Sequence, residues 1–102
     1  MKRVTDHFVF RLIPPRPTFD QDMNDEERAI MERHGQHWAG LMEAGKVLVY
    51  GPVRDGTGAW GLGVVRADGE EEMRELVAND PAISSGMATS EIGRMVVAVV
   101  PD

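Results

Sequence analysis

The sequence predicts an α+β fold, a split sheet in the order β-α-β-β-α-β with both helices on one face. Three observations predict it. Apolar residues recur at helical spacing in two stretches, each behind an acidic start. Strand-like runs flank both stretches. Between the two middle runs stands "RDGTG" at 54–58, turn chemistry that joins them as a hairpin.

The first strand is expected over Val4–Ile13, "VTDHFVFRLI", with Phe8, Phe10 and Leu12 on one face and His7, Val9, Arg11 and Ile13 on the other. Proline cannot feed a ladder, so "PPRP" at 14–17 stops it, and a long loop is expected to Met23. Asn24 with Glu27 three residues later starts the first helix as a capping box, and Gly45 ends it in a left-handed position. Gly35 and Gly40 inside this helix weaken it and predict close approach of another element. Val47–Tyr50 and Ala59–Val65 form the hairpin. Gly61 and Gly63 leave one of its faces bare, either for close backbone approach or for something bound. The second helix starts at Asp68 or Gly69, carries Met73, Leu76 and Val77 inward, and ends at "NDPA", because a residue before proline leaves the helical region. Glu91–Val100 closes the chain as one β-prone strand.

Two β-α-β crossovers around a hairpin give a ferredoxin-like sheet. At 102 residues the chain holds one core, so residues 1–102 are read as a single domain. Val9, Ile13 and half of the last strand leave the helix-free face too apolar to stay wet, which predicts a homodimer packed sheet to sheet.

Composition excludes several functions. There is no cysteine, hence no disulfide, thiolate nucleophile or Cys-ligated metal. Eleven Lys and Arg against 17 Asp and Glu, with the arginines dispersed, give no footprint for nucleic acid. No apolar run approaches the roughly 20 residues of a membrane span. "MKRVTDHFVF" lacks the apolar run and cleavage site of a signal peptide, so a cytoplasmic location is expected. "GAWGLG" sits in a hairpin strand, not at a strand-to-helix turn, which rejects a dinucleotide fingerprint.

One residue breaks the pattern of the first helix. On a wheel at about 100° per residue, Glu27, Ile30, Trp38, Leu41 and Gly45 fall within about 40° of His34, which therefore occupies the centre of the buried face. A buried imidazole without partners costs roughly 1–3 kcal/mol, so it is either a core group satisfied by a carbonyl or a functional one. His37 lies about 60° away, and with His34 and Glu27 could chelate a metal, although the usual companion pattern of a zinc site is missing and no metal is expected. Arg11, charged between Val9 and Ile13, needs either an ion-pair partner across a dimer seam or an anion. Trp38 and Trp60 are core aromatics or the walls of a ring-binding pocket.

His34, Gly45 eleven residues on, Gly51-Pro52, and Asp80-Pro81 with Gly86 behind them form an ordered set. This set resembles the YCII-related family of small dimeric α+β barrel proteins. The chain departs from it in "PPRPTFDQDM" and in His37, where relatives often carry an aromatic residue. The resemblance implies a His34–Asp80 dyad in an active-site cleft and no cofactor. It further implies a lyase or isomerase step on a small cyclic or aromatic compound. An aspartate on one ring nitrogen would fix the tautomer and make the other nitrogen a general base. His37, Trp38, Gly51, Pro52, Trp60 and Arg11 are the expected substrate-binding residues. The alternative is a module of the same fold that binds a small ligand without turnover. The two differ in geometry: a sealed His34 on a backbone carbonyl favours the module, and an Asp80 contact beside an open pocket favours the enzyme.

Overall fold

The computed structural model describes residues 1–102. In chain order the elements are β1 (Lys2–Val4), β2 (His7–Ile13), α1 (Phe19–Asp22), α2 (Asp25–Glu43), β3 (Val47–Asp55), β4 (Gly58–Arg66), α3 (Glu70–Ala78), α4 (Pro81–Ser84), β5 (Thr89–Arg94) and β6 (Ala98–Val100). The main sheet has the order β3-β4-β2-β5, every neighbouring pair antiparallel. β4 lies between β2 and β3, the two strands that α2 connects, so the sheet is split in the ferredoxin-like manner.

Alternation along β2 decides where the core sits. Phe8, Phe10 and Leu12 are buried and cluster with Ile30 and Trp38 of α2 and Met73 and Val77 of α3, which places both long helices on one face. The Asn24 side chain accepts from the Glu27 amide at 2.8 Å and Glu27 returns the bond to the Asn24 amide at 2.9 Å, the capping box that the spacing predicts. Gly45, at φ 78°, terminates the helix.

The termini depart from the expected single strands. The first breaks at Thr5-Asp6 and the last at Met95–Val97, and their outer pieces pair with each other as a separate ribbon, β1 with β6. The break has a local cause. β2 begins at His7, whose carbonyl accepts from Met95, while the Asp6 carbonyl accepts from Ala67, so the ladders change partners there. Gly35 and Gly40 have nothing within 4 Å of a would-be Cβ, so no element approaches α2 at either position, contrary to expectation. Gly61 and Gly63 pair with Leu12 and Phe10 across the ladder. A Cβ at Gly61 would stand 3.1 Å from that of Leu12, which is the close-approach reading of these glycines.

The segment between β2 and α2 is pinned rather than loose. Arg16 grips Glu27 through two nitrogens at 2.8 and 2.9 Å and Asp22 at 2.7 Å. The Arg16 guanidinium, with the Asn24 amide, holds the Glu27 carboxyl down at about 2. On the far side, the Ala59 amide donates to the Pro17 carbonyl at 3.2 Å, and Gly58, at φ 117°, leaves no room for a Cβ beside Pro17. No helix is long and apolar enough to cross a membrane.

Candidate functional site

α2 carries His34 and Trp38 one turn apart, on the same side. Pro81 acts from the short segment that follows α3. It holds Asp80 in an extended conformation (φ −65°, ψ 124°) and opens α4 as its first residue. Asp80 thereby becomes the N-cap of α4, and its Oδ1 accepts from the Ala82 amide at 2.9 Å. The carboxylate that makes this cap is completely buried and faces α2.

There it meets His34. The Nδ1 of His34 lies 2.7 Å from Asp80 Oδ2 and 2.9 Å from Oδ1, and the Trp38 Nε1 donates to Oδ2 at 2.7 Å. An ionised carboxylate can only accept, so Nδ1 of His34 carries a proton, and in the neutral imidazole the lone pair lies on Nε2. Burial alone would raise the Asp80 pKa; the hydrogen bonds from His34 and Trp38 outweigh it and hold the carboxyl below its ordinary value. His34 is not bonded to a backbone carbonyl, and its Nε2 makes no hydrogen bond within the chain.

His34 forms part of the wall of a cavity of about 280 Å³ between α2 and the sheet. Trp38, stacked on Phe10 with ring centroids 4.9 Å apart, backs it. Gly51 and Pro52 border it from β3 and Trp60 from β4. Four of the expected binding residues, Trp38, Gly51, Pro52 and Trp60, are thus brought together around His34. Two are not. His37 points between α2 and α3, where its Nε2 donates to the Leu76 carbonyl at 2.9 Å and its ring meets Trp38 edge-on. Arg11 lies beside Trp60, its guanidinium 4.4 Å from the ring centroid and its Nε 3.9 Å from Glu91, outside the cavity lining. No three His, Asp or Glu side chains converge as a ligand set, and Glu27 is engaged by Arg16.

Among the wall residues that sequence reasoning missed are Phe19, Met23 and Tyr50. Phe19 comes from the segment expected to be a plain loop, is almost fully buried, and heads the one-turn helix α1. Its signal was a lone aromatic in the polar run "PTFDQD", which only a buried position explains.

Residues 8–96 match the YCII-related domain. Among solved structures, the chain is similar to 5-chloro-2-hydroxyhydroquinone dehydrochlorinase (TftG) from Burkholderia phenoliruptrix AC1100, in complex with 2,5-dihydroxybenzoquinone. The TM-score is 0.58 at 18% identity, over 86% of this chain and 92% of that one. At such identity the likeness is one of fold. A search of curated proteins finds no match.

Proposed function

The chain belongs to the YCII-related family, and on that premise we propose that residues 1–102 act as a single domain that performs a proton-transfer step on a small molecule, of the lyase or isomerase type, without a cofactor. One observation carries the reading. His34 lines an apolar cavity with its Nε2 unpartnered within the chain, while a buried carboxylate holds its Nδ1. In this arrangement Nε2 takes a proton from the substrate, Asp80 stabilises the imidazolium that forms, and the same nitrogen returns the proton elsewhere on the substrate or to its leaving group. Trp38, Gly51, Pro52 and Trp60 position the compound. The fold neighbour is a dehydrochlorinase with a small ring compound bound, which accords with such chemistry. A thermal-shift screen of small cyclic and aromatic compounds, followed by turnover assays of the hits, tests the proposal. A hit is expected to raise Tm, shift the His34 Nε2 resonance and be converted. Hits that bind without conversion support the binding-module alternative instead.

The same proposal includes a second copy of the chain. Leu48 and Val49 of β3 are about half exposed, and Val9 and Ile13 are only partly covered on the helix-free face. A sheet-to-sheet homodimer removes this surface from water. Sedimentation equilibrium is expected to return twice the 11.3 kDa chain mass, and Val49→Asp to shift it toward the monomer. A monomer at high protein concentration overturns the dimer.

A further inference from the structure

We infer that the cavity selects uncharged ring compounds bearing an acidic hydroxyl, of the phenol or enol type, and rejects their carboxylate counterparts; this rests on the proton-transfer reading of His34. The wall is hydrocarbon at Phe10, Leu12, Phe19, Met31 and Trp38, and no lysine or arginine stands on it. The cations nearby stand off the wall. Arg16 is held by Asp22 and Glu27, and Arg54 by Asp20, which itself borders the cavity as a negative group. Arg11, whose buried Nε has no hydrogen-bond partner and lies 3.9 Å from Glu91, stands over the Trp60 ring and off the cavity lining. His34 is the one group on the wall that can become positive, and Asp80 already matches that charge.

An anion entering this space loses its hydration and finds no Lys or Arg on the wall, which is costly in an apolar setting. A neutral hydroxyl instead finds the Nε2 lone pair. Its O–H bond breaks as an N–H bond forms at Nε2, and the electron pair stays on oxygen, spread into the ring. Nothing is oxidised or reduced. Acid strength narrows the class further. A phenol, with a pKa of about 10, lies within reach of a histidine base. An aliphatic alcohol, several pKa units weaker still, yields its proton to an imidazole only in concert with attack on an electrophile, which this step does not include.

Calorimetric titration of the wild-type protein with 2-naphthol and with 2-naphthoate, two compounds alike in ring but not in charge, tests the inference. Binding of 2-naphthol with a shifted His34 Nε2 resonance is expected, with 2-naphthoate weaker by about tenfold or more. Met31→Lys puts a cation on the partly buried wall one turn before His34, and is expected to narrow that gap while circular dichroism stays unchanged. Equal or tighter binding of 2-naphthoate to the wild type overturns the charge selection and leaves the proton-transfer reading standing. So does a gap that a folded Met31→Lys variant leaves unaltered. Binding of neither compound overturns the named class. A bound 2-naphthol that leaves the His34 Nε2 resonance unmoved counts against the proton-transfer reading itself.

Discussion

Replacing His34 by alanine is expected to lower turnover of any substrate found by about 10²–10⁴-fold while leaving the fold intact. The loss should fall on kcat rather than KM, because the cavity keeps its hydrocarbon wall and loses the group that moves the proton. The fold survives for a stated reason. The imidazole is one-sixth exposed at the cavity wall, so its removal opens space to water rather than a sealed void. Asp80 keeps two donors, the Trp38 Nε1 at 2.7 Å and the Ala82 amide at 2.9 Å, so its charge is not stranded. A modest fall in Tm with a large fall in kcat is the expected pair of results, measured by calorimetry and steady-state kinetics on the same preparation. Undiminished turnover in His34→Ala removes the catalytic role. His37→Ala serves as the contrast: it breaks a bond to the Leu76 carbonyl outside the cavity and should leave kcat near the wild-type value.

The two halves of the site were unequally legible in the sequence. His34 declares itself, because a helix wheel places it among Ile30, Trp38 and Leu41, where an imidazole is conspicuous. Asp80 does not. "NDPA" reads correctly as the end of a helix, yet nothing local says that the aspartate caps a further turn or that its carboxylate turns inward to α2. That contact joins residues 46 apart and depends on how α2 and α4 pack. Only the family resemblance paired the two beforehand. The same limit explains His37. Its wheel position, about 60° from His34, is enough to send it to the seam with α3 instead of the cavity, and the wheel alone does not say which neighbour lies at that angle. Element order and the hairpin followed from period and turn chemistry. The broken terminal strands were hidden because "MVVAVV" is β-prone throughout, and the switch of partner at Met95–Val97 comes from where β2 begins, a tertiary fact. Phe19 shows the reverse case: its burial was hinted at by its isolation, but the grip of Arg16 that seats it is a contact between segments that no periodicity reports.

Asp80 carries the largest expected effect on stability. Asp80→Ala removes the α4 cap, leaves the Trp38 indole N–H without an acceptor in a buried position, and strips His34 of its partner. Loss of a cap and of buried hydrogen bonds of this kind together should cost roughly 3–5 kcal/mol. Each kcal/mol moves Tm by about 4–8 °C in a domain of this size, so a fall well beyond 10 °C is expected on thermal melting. Asp80→Asn separates structure from chemistry. Its one amide oxygen can replace Oδ1 or Oδ2 but not both, so it accepts from Ala82 or from Trp38, while the NH₂ in the other place faces His34 Nδ1 and drives the proton to Nε2, the nitrogen that must be free. This variant should fold with a lower Tm than the wild type, because one donor loses its acceptor, and lose turnover.

It also isolates a pH dependence. The Asp80 pKa is lowered in the folded state, so the carboxylate adds stability that is fully present above the unfolded value of about 3.9 and is lost as pH falls through the lower folded one. Urea unfolding of wild type and Asp80→Asn, compared at neutral pH and across the acid range below about pH 4, should give curves that converge as acid is added. The wild type alone loses the Asp80 contribution, while Asp22, Glu27 and Asp55, whose carboxyls are likewise held low, act equally in both. Parallel curves would mean that the charge on Asp80 contributes nothing to folding beyond what the neutral amide supplies. The pair would then be a hydrogen-bonded fixture of the core, and the case for an ionised orienting partner to His34 would fail with it.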